Sequence, residues 1–152
     1  MRQAGMTADE YKTALQSILS AHVQPALARL AIIKQSLPQK ARQVMVGVHP
    51  GQSEEGFFDI VVHLDGPDLY VLQKAIAPYR FLFEVKYIDG QMQPDVPMFD
   101  PNEAAFSVND AIVDTCTEWV ECLWQQLGGV GLPALVFGED GYGTVGSKPL
   151  LP

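Results

Sequence analysis

Apolar residues recur at Tyr11, Ala14, Leu15, Ile18, Leu19, Val23, Leu27, Leu30 and Ile33, the spacing of one face of a helix. Thr7, followed three positions later by Glu10, forms a capping box ahead of this run. Pro25 falls inside it and cannot donate to the helical ladder, which predicts a kink or two abutting helices. The period then changes. Residues 43–49 alternate with Val44, Val46 and Val48 on one face, and residues 57–64 with Phe58, Ile60, Val62 and Leu64. A short polar connection between them predicts an antiparallel hairpin. Asp65-Gly66-Pro67-Asp68 opens a short helix through Leu69, Leu72 and Ile76, with Pro67 at the first helical position. Residues 81–88 read as a third strand, ended by Asp89-Gly90, and residues 91–106 as a connection stiffened by Pro94, Pro97 and Pro101.

The most regular helix follows Ser107, whose partner Asp110 makes a second capping box, and it stops at Gly128-Gly129. Its apolar stripe is Val108, Ala111, Ile112, Thr115, Cys116, Trp119, Leu123, Trp124 and Leu127. The tail, 130–152, reads as a hairpin: Leu135-Val136-Phe137, a glycine-rich turn, then Tyr142 to Val145. The order predicts an α+β two-layer sandwich. A small, mostly antiparallel sheet is packed by a kinked N-terminal helix and a long helix in the C-terminal half. One globular domain, 1–152, is expected, with residues 1–6 as a tail; 152 residues are enough for a self-sufficient core.

Charge narrows the partners. The chain carries a formal net charge of −8, which argues against nucleic acid and anionic membrane. No run approaches ~18 consecutive apolar residues, and no apolar leader segment is visible near Met1. Cys116 and Cys122 lie six positions apart on one helix, roughly 9 Å of rise, beyond disulfide reach. Both are expected to be free thiols in or near the core, as in a cytoplasmic protein.

The catalytic motifs tested fail. There is no G-x-S-x-G elbow, Ser107 is a cap, and Cys116 sits in an apolar stripe. In a hairpin, His49 lies near the turn and His63 near the open end, which predicts more than ~15 Å between them and no shared metal or histidine relay. The glycines of residues 138–143 suit turns better than phosphate, because Glu139 and Asp140 would repel an anion. No calcium-loop pattern is present. No metal and no cofactor are expected.

The distribution of charge is the unusual feature. Residues 1–86 hold nine basic and eight acidic groups, whereas residues 87–147 hold ten acids and no Lys or Arg. Asp110, Asp114, Glu118 and Glu121 step along one helix ridge, and like charges at such spacing cost about 0.2–0.5 kcal/mol per pair. Two readings fit: a solvated face, or a binding ridge for a cationic partner. On the second, Asp110, Asp114, Glu118, Glu121, Asp100, Glu103, Glu139 and Asp140 are the candidate partner-binding residues.

The runs 106–114, 118–121, 127–133 and 136–144 resemble a family of small bacterial proteins without assigned function, over most of the chain. In class rather than motif, the chain is similar to immunity proteins of bacterial toxin systems, which are small, acidic, cytoplasmic α+β proteins. That likeness carries over no site residues. It implies a non-enzymatic inhibitor that occludes a basic toxin; self-association into a homodimer is a separate expectation. The alternative expectation is a small-ligand-binding or enzymatic domain.

Overall fold

The computed structural model describes residues 5–152; of the expected N-terminal tail, residues 1–4 lie outside the described residues. The capping box at Thr7 is formed in both directions. Thr7 Oγ1 accepts from Glu10 N at 3.1 Å, and Glu10 Oε1 accepts from Thr7 N at 3.0 Å. It starts α1, Ala8–Ser20. The expected interruption is present but displaced. The chain breaks at Ala21 and His22, and Pro25 lies inside the first turn of α2, Val23–Ser36. There its missing N–H is one the helix leaves unpaired anyway, so proline starts a second helix instead of kinking one.

Strands β1, Gln43–Pro50, and β2, Phe58–Asp65, form the expected antiparallel hairpin, with Val46 opposite Val62. Val44, Val46, Val48, Ile60, Val62 and Leu64 are buried on one face. Helix α3 is Leu69–Ile76, with Asp68 as its N-cap, so Pro67 stands just before the helix and not at its first position. The expected third strand divides into β3, Phe81–Glu84, which pairs with β2, and β4, Lys86–Ile88. The latter leaves the sheet and pairs with β5, Gln91–Gln93, inside the segment expected to be only a connection. Asp89 and Gly90, both at positive φ, make that tight turn.

Helix α4, Val108–Leu127, runs from its Ser107 cap to Gly128 in the left-handed conformation. The tail then departs from expectation. Strand β6, Ala134–Gly138, lies parallel to β1, and the returning strand is β7, Lys148–Pro149, rather than residues 142–145. A parallel neighbour requires a crossover, and α4 carries the chain back to the starting end of β1. The sheet order is β3-β2-β1-β6-β7, antiparallel at every pairing except β1–β6.

This is an α+β fold. Helix α4 packs on β1 and β6, α2 on β3, and α1 against α4. Trp119 meets Phe83 edge-on at 6.3 Å, and Phe83 stacks on Phe58 at 5.1 Å. Cys116 is buried, whereas Cys122 is exposed, not packed as expected. Among the described residues no helix is long and apolar enough to cross a membrane.

Candidate functional site

The second face of the sheet carries the alternate residues of β1 and β2, namely Met45, Gly47 and His49 beside Asp59, Val61 and His63. His49 stands opposite Asp59, and Met45 opposite His63. The two histidine backbones are therefore well separated along the ladder, as expected, but their rings meet. His49 Nε2 lies 3.0 Å from His63 Nε2. The expectation of more than ~15 Å counted backbone rise alone, whereas strand side chains lean along the strand. Gly47 is what lets them. A Cβ there would run into the His49 ring and sit 2.8 Å from the end of Phe137. Phe137 closes the far side, edge-on to His49 at 5.9 Å.

The contact belongs to a longer chain of side chains. Glu139 Oε2 lies 2.9 Å from His49 Nδ1, and Arg80 Nη2 lies 2.9 Å from His63 Nδ1. Arg80 also donates from Nε to the Val62 carbonyl at 3.0 Å. A guanidinium only donates. Hence His63 Nδ1 accepts, and the neutral ring carries its proton on Nε2, which donates to His49 Nε2. The His49 proton then sits on Nδ1 and is donated to the Glu139 carboxylate. One proton arrangement satisfies all four groups with both imidazoles neutral. Burial, then His49 and Arg80, push His63 down to about 4, so it stays neutral at physiological pH. Opposite His49, burial and the facing Glu84 push Asp59 up to about 6, against the opposing Val85 N–H.

Every ring nitrogen of this relay is engaged. A metal on His63 Nε2 would put the ring proton on Nδ1, against the Arg80 donor. Among the described residues, no group of three or more His, Cys, Asp or Glu side chains is arranged to hold a metal ion. Sequence reasoning missed the relay, although a glycine inside a strand, two positions before a histidine, is a signal of close approach.

The acidic ridge is built differently from its sequence picture. Asp110 Oδ1 accepts from Gly143 N at 2.8 Å. Asp114 accepts from Thr144 N at 2.8 Å and from the Thr144 hydroxyl at 3.1 Å. Glu121 pairs with Lys148 Nζ at 3.2 Å. The tail thus docks along α4 and supplies donors and one cation that the helix itself lacks. Glu118 is exposed, and it lines a hollow of about 160 Å³ together with Asp114, Glu121, Lys12 and Lys148. Asp140, exposed, precedes this docked segment, while Glu139 turns to His49. Asp100 and Glu103 lie on the approach to α4. Asp100 Oδ1 accepts from Asn102 N at 3.0 Å, and Glu103 borders Met6, Thr7 and Phe99.

The model for a family of unknown function, DUF6389, matches residues 6–150. No curated protein and no solved structure matches the chain.

Proposed function

We propose that this chain, which belongs to DUF6389, is a non-enzymatic protein-binding domain that neutralises a basic partner by occlusion, in the manner of an immunity protein acting on a bacterial toxin. The observation that carries this reading is the way the ridge is held. Backbone N–H groups of Gly143 and Thr144 fix Asp110 and Asp114, so these carboxylates are oriented before any partner arrives. Preorganised charge loses little on association and steers a cationic partner toward the surface. Glu118 remains exposed in the hollow it shares with Asp114, and Asp140 is exposed ahead of the docked tail.

The test is capture from the source organism with the full chain as bait, identification by mass spectrometry, and titration calorimetry of the captured protein at two salt concentrations. A Glu118→Gln, Asp140→Asn double variant keeps the tail contacts intact. A central ridge predicts at least a tenfold loss of affinity, about 1.4 kcal/mol, together with strong salt dependence. Unchanged, salt-insensitive affinity in that variant refutes the acidic surface as the binding face.

A further inference from the structure

The relay lies on the sheet face turned away from α4. Gly138 faces Val113 of that helix, so its neighbour Phe137 points the opposite way. The register lays out three rows across the strands on this outer face. Pro149, Leu135, Met45 and His63 make the first, Phe137, Gly47, Val61 and Phe81 the second, and His49, Asp59 and Glu84 the third. Its apolar side chains reach solvent at both edges, where Phe81 is 39% exposed and Pro149 is exposed. Past each end of β2 the surface is apolar too. Where β2 starts, Tyr87 lies against Phe57 with ring centres 6.2 Å apart, and Tyr87 and Ile88 of β4 are exposed. Where β2 stops, α3 presents Leu69 and Tyr70, the latter 75% exposed, in a shallow hollow shared with Lys74 and Arg80. Apolar groups of this size exposed together mark an interface. Charge divides between the same two ends. Asp59, Glu84 and Glu139 stand against Lys86 at the start, with Lys86 3.5 Å from Glu84, whereas Arg80 and Lys74 stand against Asp65 at the other end.

We propose that this face binds a second copy of the chain, the two sheets packed face to face about a two-fold axis that runs along the Phe137–Phe81 row. Such an axis lies across the strands, so each copy meets the other end for end. Asp59 and Glu84 of one copy then come over Arg80 and Lys74 of the other, β4 comes toward α3, and Phe81 meets Phe81. An axis along the strands would instead set acids over acids, which costs affinity. The polar groups in the middle of the face can be covered without being orphaned, because Glu139, His49, His63 and Arg80 hydrogen-bond one another in a line. The inference is independent of the acidic-ridge reading, since Glu118 on α4 stays uncovered on the opposite side.

Sedimentation equilibrium of the purified full chain tests this with no other partner present, and a dimer is expected. Tyr70→Asp, at an exposed position that leaves the core intact, and Glu84→Lys should each weaken dimerisation at least tenfold with the circular dichroism spectrum unchanged. Adding Lys74→Glu to Glu84→Lys exchanges the two charges and should restore most of the loss. In a Cys122→Ser background, Phe81→Cys should be crosslinked into dimers by a short bismaleimide. Val145→Cys, beside the ridge of α4, should not be. A monomer throughout the micromolar range overturns the proposal, as does a dimer that Tyr70→Asp and Glu84→Lys leave unchanged. A dimer crosslinked through Val145→Cys and not through Phe81→Cys overturns this face, and failure of Lys74→Glu to restore Glu84→Lys overturns the end-for-end axis.

Discussion

Asp59→Asn tests the electrostatics of the open sheet face directly. Asp59 sits between His49 on β1 and Glu84 on β3, and its carboxyl is raised from 3.8 to about 6 by burial first and Glu84 second. Around pH 7 the group is ionised in both folded and unfolded chains, and the folded chain bears the cost. At about 1.36 kcal/mol per pH unit, discounted because the side chain is half in contact with solvent, that cost is about 1–2 kcal/mol. Removing the charge should therefore stabilise the protein by that amount at pH 7. The advantage must vanish on acidification. Between 6 and 3.8 the folded chain holds a proton on Asp59 that the unfolded chain lacks, so wild-type stability gains as pH falls through this window. His63 acts with the opposite sign. Its folded value near 4 lies below the ordinary 6.5, so the unfolded chain binds the proton first and stability is lost as pH falls from 6.5 to 4. In the wild type the two largely offset each other; in Asp59→Asn the histidine loss stands alone. Urea unfolding followed by circular dichroism at pH 7, 6, 5 and 4 measures both. A stability difference between variant and wild type that is the same at pH 7 and pH 4 would refute the account.

Three further outcomes follow from the same geometry. Gly47→Ala drives a methyl into the His49 ring and the end of Phe137, and should cost about 1–3 kcal/mol; nitrogen NMR of the imidazoles should show the His49–His63 hydrogen bond lost. Removing residues 130–152 deletes both β6 and β7, the strands on one side of β1, so the shortened chain should lose its cooperative melt, not merely shift it. Cys122 should react with a thiol reagent in the native protein while Cys116, buried with its thiol pushed up, reacts only after denaturant is added, one thiol before and two after.

Local signals were legible in the sequence and non-local ones were not. The capping box at Thr7, the Ser107 cap (without the reciprocal half expected of a box, because Asp110 accepts from Gly143 N instead), the buried alternation of Val44, Val46 and Val48, and the β1–β2 hairpin depend on residues a few positions apart, and pattern alone specifies them. The partner of β6 does not. Leu135-Val136-Phe137 reads as a strand, but pairing with β1 instead of with residues 142–145 is decided by where α4 delivers the chain. The same limit applied to the ridge. Asp110 and Asp114 looked like tolerated repulsion because their donors, Gly143 and Thr144, lie some thirty positions away. The histidine relay was missed for a different reason. Its signal, Gly47 between two valines of a strand, concerns space above the sheet, which a count of rise per residue does not contain.

The placement of β6 also bears on how the protein is made. Strand β1 emerges early from the ribosome, with Val44, Val46 and Val48 ready to be buried, yet its parallel neighbour is synthesised only after β2 through α4. Until then the nascent sheet shows an unpaired edge along β1, the kind of surface that recruits other chains. Joining elements so distant in sequence also carries a loop-closure cost before the contacts repay it, which slows folding. Codon choice or chaperone occupancy across α4 would therefore affect the yield of this protein more than the stability of the finished fold suggests.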